Sequence, residues 1–555
     1  MAGMMRLYND RAMAERPGAV LDYGAFQHPP SPLFRDYVAG APTVRPFYDG
    51  GGWDLESLTA AATASSSLPR RRGPLADALV RQQEALGSPR GAAQARLLGQ
   101  ETTAAVVTGQ QAVLFGGPLY VLYKAVAAIK VARTLAQRTG RPAVPVFWIA
   151  SDDHDFAEVR SVSVLDEAGQ IVTVRYAPER EPMGEPAAHI VLDQTITPLL
   201  EELRKALPAG LNRDGLLARL GECYRPGATL AGAFARLLSS LLPELVVLDP
   251  SDPGLKSLML PVMSRELEEA SPTSRLAERR GAELLAAGYH QQVPVRAGFL
   301  NLFLYSEGQR RALAAQNGQV EVRGTSRRLG LQEALRLLQS NPAEWSPGVL
   351  LRPLAQDHVF PTAAYLGGPA EVAYHAQIVP SYAHFGIPRP VLMPRPSLTL
   401  VEPAQARALE ADGLTLADLQ EDPQTILGRW VREAHPETEA AFTRAREAVD
   451  REMAAVEAVL GSLDPTLRGA ADGARGRILH QIEGLQEKST RALKKRDQAR
   501  ADRLRRTRDA LLPGGSFQER GLGLVSLVAR HGDGIVAEIG ERMDPWARGH
   551  QVVYL

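Results

Sequence analysis

Four short segments carry residue types that could do chemistry together. The first is Thr108-Gly109-Gln110-Gln111, followed by Gly116-Gly117-Pro118 and Tyr120. Glycines let a backbone approach a phosphate, and a helix start offers free N–H groups with a partial positive charge. The spacing is neither GxxxxGK[ST] nor GxGxxG, so a plain turn is the alternative reading. The second is Asp152-Asp153-His154-Asp155, with Glu158 close behind. Carboxylates crowd like charges there, which favours a cation, a substrate ammonium or a nearby arginine. His154 and Glu158 would share a face if a helix starts here, which permits metal ligation; whether a metal takes part stays open. The bland alternative is a helix cap with solvated acids. The third segment, 346–377, contains Arg352, Gln356, Asp357 and Glu371. A guanidinium suits a carboxylate or a phosphate, although an internal Arg352–Asp357 salt bridge would use the same residues. The fourth is Arg395-Pro396-Ser397, a basic loop that reaches phosphates or stays solvated.

Other chemistries are argued against. No HExxH, GxSxG or CxxC occurs, which speaks against metalloprotease, α/β-hydrolase and thiol-redox activity. The lone Cys223 excludes an internal disulfide framework and reads as a plain helix residue. Lys plus Arg (63) equals Asp plus Glu (63), so charge gives no reason to expect nucleic acid or an acidic membrane as partner. A basic stretch from Lys488 to Arg506 is either a solvated helix flank or a contact to nucleotide phosphates. The N-terminus MAGMMRLYND lacks an apolar signal core, and no run of about eighteen apolar residues could span a bilayer. The expected location is the reducing cytoplasm.

The elements that must position these segments follow from periodicity. Ala104 to Val107 is a short apolar run of the kind a buried parallel strand shows. Leu119, Leu122, Val126, Ile129 and Ala132 predict a helix from Pro118 to about Gln137, and Pro145 to Ile149 a second strand. Strand, helix, strand implies a right-handed βαβ unit. Ligands bind at the carboxyl edge of such sheets, where the first two segments fall. Further along, 161–192 alternates as a hairpin, 195–242 is helical, and Leu245 to Asp249 is a third strand. One helix is expected over 252–288 and a second strand-rich stretch over 292–329. Residues 346–368 return to the core, a helix covers 370–385, and Pro390 to Met393 is the last core strand. Beyond that, Phe442, Val449, Met453, Val456, Leu460 and Leu463, then Ile478, Ile482 and Leu485, keep a three-four spacing on either side of Pro465. That pattern predicts an antiparallel coiled-coil hairpin. The predicted architecture is α/β: a Rossmann-type parallel core over 1–398 with insertions at about 161–245 and 290–345, a helical coiled coil over 399–515, and a C-terminal helix and strand over 516–555 that pack back on the core.

Read in order, TGQQAVLFGGPLYVLYKA, VPVFWIASDDHDFAEV, LLRPLAQDHVFPTAAYLGGPAEVAYHAQ, RPSLTLVE, QER and HQVVYL resemble the cysteine-adding enzyme family of bacillithiol biosynthesis over nearly the whole chain. The resemblance implies a Rossmann core like that of class I aminoacyl-tRNA synthetases, connecting-peptide insertions, and a coiled coil that pairs two subunits. It implies a ligase that joins cysteine to the amino group of glucosaminyl-malate. The family usually has Glu where Asp152 stands, often Gly at Ser151, and commonly an aromatic where His375 stands.

Amide formation from a free carboxylate needs activation, and ATP or another adenine nucleotide is the expected cofactor. Thr108, Gly109, Gln110, Gln111, Gly117 and Tyr120 are expected to hold it with Arg352, Gln356, Asp357, Glu371, Arg395 and Ser397. Asp153, His154 and Asp155 are expected to bind the substrate amine or a metal, or to accept the amine's proton. Changing His154 to Ala is expected to abolish product with the fold intact. HIGH-type histidines are absent from the first loop, which sets the chain apart from a literal synthetase. The rival reading is a non-catalytic nucleotide-binding scaffold for another ligase.

Overall fold

The computed structural model describes residues 18–49, 51–295, 298–316, 318–496 and 498–555. By internal contacts it divides into two units, 1–401 with 516–555, and 402–515.

The first unit is built on five parallel strands: β1 (Ala104–Gln110), β2 (Ala143–Ile149), β3 (Val246–Leu248), β4 (Thr362–Gly367) and β5 (Val391–Pro394), in spatial order β5-β4-β1-β2-β3. The helices α1 (Leu119–Thr139) and α2 (Pro369–Phe385) each follow a central strand. The chain winds outward from β1 to β3 and then crosses back to lay β4 on the other side of β1. The C-terminal ends of β1 and β4 therefore diverge at the topological switch point. β1 runs to Gln110, past the expected apolar run that ends at Val107. A Cβ on Gly109 would stand 2.5 Å from the Trp148 carbonyl oxygen, so glycine lets β1 and β2 stay in register there.

Three expectations need correction. The helix predicted over 252–288 is two helices, Pro253–Glu268 and Pro272–Ala286. Ala270 and Ser271 take positive φ between them, and Pro272 disfavours a helical residue before it. The hairpin keeps only Ser161–Leu165 and Ile171–Arg175 as strands, because Pro178, Pro182 and Pro186 cannot donate ladder hydrogen bonds. Residues 346–368 return to the core, with helix Arg352–Val359 leading into β4. Finally, Ser397 lies in no solvated loop. It opens a strand, Ser397–Val401, paired in parallel with His550–Tyr554, which also pairs with Ala19–Leu21. Thr399, Leu400 and Val401 thus belong with the first unit, three residues past the boundary expected at 398.

The second insertion forms a five-stranded antiparallel sheet over 299–347. Cys223 ends a helix, is buried, and its thiol is pushed up to about 11 by burial, which fits an inert helix residue. In the second unit, helices Pro436–Leu463 and Leu467–Arg496 form the hairpin. The side chains of Lys494, Lys495 and Arg496 lie outside the described residues. Among the described residues no helix is long and apolar enough to cross a membrane.

Candidate functional site

The switch point opens into a cavity of about 470 Å³. The end of β1 supplies Gly109, Gln110 and Gln111; the residues after β2 supply Asp153 and Glu158; the start of α1 supplies Tyr120 and Lys124. From beyond β4 come Gly368 and Glu371, with Arg352 and Tyr374 on neighbouring helices. Arg395 follows β5, and Arg520 comes from the short helix Gln518–Gly521. Segments hundreds of residues apart thus converge at one sheet edge.

A buried ion pair forms the floor. Lys124 donates to the Gly109 carbonyl (2.8 Å), to Gln110 Oε1 (3.2 Å) and to Glu371. Glu371 also accepts from the Gly368 amide (2.6 Å) and the Tyr365 hydroxyl (2.5 Å). Burial raises the Glu371 pKa, but Lys124 and these donors outweigh it and hold the carboxylate ionised below its usual range. Lys124 went unread in the sequence, though a charged residue inside the apolar stretch Leu119–Leu135 signals a buried partner.

Arg352 is held by neutral groups. Its guanidinium donates to Gln356 Oε1 (2.9 Å), to the Tyr374 hydroxyl (2.9 Å) and to the Tyr365 hydroxyl (3.3 Å). The anticipated Arg352–Asp357 bridge does not form. Gln356 intervenes and donates to Asp357 (2.9 Å), which also accepts from Tyr382 (2.6 Å). Gln356 and Asp357 are buried behind Arg352 and support it without reaching the cavity; burial raises the Asp357 pKa.

On the acidic side, Gln111 donates to both Asp153 (2.8 Å) and Glu158 (3.0 Å), holding two carboxylates together. His154 and Asp155 do not line the cavity. Asp155 caps the helix Phe156–Val159 by accepting from the Glu158 amide (3.2 Å), the role weighed as the alternative. His154 is 42% exposed, its Nδ1 3.9 Å from Asp153. Asp152 turns the other way. It accepts from Lys256 (2.8 Å to each oxygen) and from Tyr305, which ties the antiparallel sheet to the core. No group of three His, Cys, Asp or Glu able to hold a metal occurs among the described residues.

The expected phosphate cradle at the start of α1 takes a different form. The Leu119 amide donates to the Leu522 carbonyl (2.9 Å) and the Val121 amide to Pro118 (3.0 Å), so these donors are occupied. Phe115, Gly116 and Gly117 all take positive φ, and a Cβ on Gly116 would stand 2.4 Å from Leu524. The glycines there serve the turn and its packing. Gly117 lies outside the cavity, and Thr108 is buried with its hydroxyl on the Leu366 carbonyl (2.9 Å).

Arg395 is 5% exposed and paired with Glu519 at 2.7 Å. Glu519 also accepts from Ser397 (2.9 Å) and the Leu398 amide (2.8 Å), while Ser397 meets His550 Nδ1 at 2.8 Å. Ser397 faces an adjoining cavity of about 280 Å³ that shares Pro369, Arg395 and Arg520 with the first.

Similarity to known proteins agrees with this architecture. Residues 21–396 match the family described as "Bacillithiol biosynthesis BshC, N-terminal Rossmann-like domain", and residues 398–555 its "C-terminal coiled-coil domain". The chain is 33% identical over 550 residues to a Salinibacter ruber protein named "Putative cysteine ligase BshC", covering 98% of this chain and 99% of that one. Proteins of the same name from Koribacter versatilis (34% over 505 residues; 90% and 93% covered) and Solibacter usitatus (33% over 524 residues; 94% and 97% covered) are similar in kind. With both domains matched and identity sustained along nearly its full length, the chain belongs to the BshC family of bacillithiol biosynthesis.

Proposed function

We propose that this chain is a cysteine ligase that joins the carboxyl carbon of cysteine to the amino group of glucosaminyl-malate, with activation by an adenine nucleotide. The observation that carries the reading is the division of charge across one cavity. Asp153 and Glu158 follow β2, whereas Arg395 follows β5. Three strand spacings separate those strands, roughly 14 Å. A ligand with an amine at one end and an oxyanion at the other matches that polarity.

The chemistry follows from the groups present. A carboxylate oxygen of cysteine would attack the α- or γ-phosphorus of the nucleotide, the P–O bond to pyrophosphate or to ADP would break, and Arg352 and Arg395 would stabilise the charge that develops there. The acceptor amine would then attack the activated carbonyl carbon, the C–O bond would break as phosphate or AMP leaves with the bonding electrons, and Asp153 would take the proton released from nitrogen. Purified protein with ATP, cysteine and glucosaminyl-malate should yield the amide by mass spectrometry. AMP as co-product identifies an adenylate, and ADP an acyl-phosphate. Nucleotide binding without turnover would instead support the scaffold reading.

Asp153→Ala is expected to lower kcat/KM about 100-fold, in the range of a general base. His154→Ala, outside the cavity, should stay within about threefold by the same comparison. Equal losses in the two variants would remove Asp153 from the mechanism.

The helical hairpin leaves Val459 (61%), Leu463 (74%) and Leu485 (60%) exposed. Large apolar side chains left in water favour burial, and the resemblance to a subunit-pairing coiled coil supports a second copy of this chain as the cover. Light scattering should then give about twice the chain mass of 60.1 kDa; a monomer across micromolar concentrations would remove the dimer.

A further inference from the structure

We propose that Arg520 is a substrate-binding residue, whose guanidinium grips the oxyanion of the ligand lying where the two cavities meet. The shared chemistry is a multiply charged oxyanion, either a phosphate chain or a dicarboxylate. The inference rests on the ligase reading for its choice of ligands.

The other cations of the site each hold polar or charged protein partners. Lys124 is paired with Glu371, and Arg395 with Glu519. Arg352 is fixed by Gln356, Tyr365 and Tyr374. Among the described residues, no side-chain hydrogen bond or ion pair engages Arg520; its one contact is with the Tyr120 ring, 6.0 Å from guanidinium carbon to ring centre. It is exposed, and it lines both cavities.

Its backbone, by contrast, is fixed on both sides. Gln518 accepts from the Leu400 amide (2.8 Å) and donates to the Leu400 carbonyl (2.9 Å). Glu519 is 1% exposed and bound to Ser397, the Leu398 amide and Arg395. The Gly521 and Leu522 amides donate to Phe517 and Gln518. A long cationic side chain on a rigid base, beside the ring of Tyr120 and paired with no carboxylate among the described residues, is prepared to meet an anion that arrives with the substrate. An arginine suits that task because its planar fork matches carboxylate and phosphate oxygens two at a time. Tyr120 also receives Arg395 on its ring, at 5.1 Å, so the two guanidinium groups flank one aromatic wall between the cavities.

The test is equilibrium binding of two probes, ATP and malate, to the full chain as wild type, Arg520→Ala and Arg520→Lys, with thermal unfolding alongside. Arg520→Ala should raise the Kd of one probe at least tenfold, leave Tm within about 1 °C, and be rescued to within threefold by Arg520→Lys. A loss confined to ATP assigns the phosphate chain; a loss confined to malate assigns the carboxylates. Binding of both probes to Arg520→Ala within twofold of wild type overturns the proposal, as does a wild type that binds neither. A fall of several degrees in Tm without rescue by lysine also overturns it, because the residue would then be structural. A wild-type chain that binds a probe through Arg520 but forms no amide would remove the ligase reading and leave this one standing.

Discussion

Replacing Lys124 with Met should cost about 3–5 kcal/mol of folding stability, the range for stripping one partner from a buried ion pair. The Lys124 side chain is 2% exposed and that of Glu371 21%. Without the ammonium, Glu371 keeps the Gly368 amide and the Tyr365 hydroxyl but loses its counter-ion. The Gly109 carbonyl at the end of β1 loses its donor as well. The charge, and not the lost contact area, dominates the expected cost. Lys124→Met with Glu371→Gln should therefore recover much of what the single change removes. Urea unfolding of the two single variants and the double variant closes the cycle. A Lys124→Met protein within 1 kcal/mol of wild type would show that the pair contributes nothing net.

Acid should weaken the fold earlier than its carboxylates would. His375 is buried between the rings of Tyr365 and Tyr374, and burial, aided by Arg352, lowers its pKa to about 3. His550, buried between Ser397 and Thr399, is lowered to about 4, again first by burial. Both are neutral when folded and take up a proton in the unfolded chain below its ordinary value of about 6.5. Their stability is present above pH 6.5 and is lost as pH falls towards their folded values, because the unfolded state then binds more protons. At pH 5 each contributes a loss of about 2 kcal/mol, so together about 4 kcal/mol. His358, lowered by burial and by Arg70, acts in the same direction. Asp357 and Glu266, raised by burial, act in the opposite one. His375→Phe, which puts an aromatic between the two tyrosines, should halve the loss between pH 7 and pH 5 in urea unfolding. Parallel losses in the variant and the wild type would assign the acid sensitivity elsewhere.

The parallel core was legible because buried strands are short apolar runs and α1 keeps its apolar spacing. The meeting of Gln110, Gln111, Asp153 and Arg352 followed from the rule that ligands sit at the carboxyl edge of such sheets. What escaped notice depends on partners far away in sequence. Glycines at 116 and 117 look alike whether they cradle a phosphate or pack a turn, and the close approach of Leu524 to Gly116 and of Val113 to Gly117 decides between the two. Asp152 and Asp153 are adjacent and chemically identical, yet one meets Lys256 and the other Gln111. Asp155 gives the local signal of a cap, and a cap is what it makes. Arg395 reads as an exposed basic residue until Glu519, 124 positions later (519 − 395), is placed beside it.

That last distance bears on how the molecule is made. The strand Ser397–Val401 waits for His550–Tyr554 to pair with it, and Glu519 arrives only shortly before. A nascent chain leaving the ribosome therefore owns the acidic half of its pocket, after β2, long before anything neutralises Arg395. Non-local pairings of this kind close late because the loop entropy must be met before any contact repays it. The candidate pocket is completed late, and a polypeptide interrupted before Gln518 would carry the sheet edge without Glu519 and Arg520.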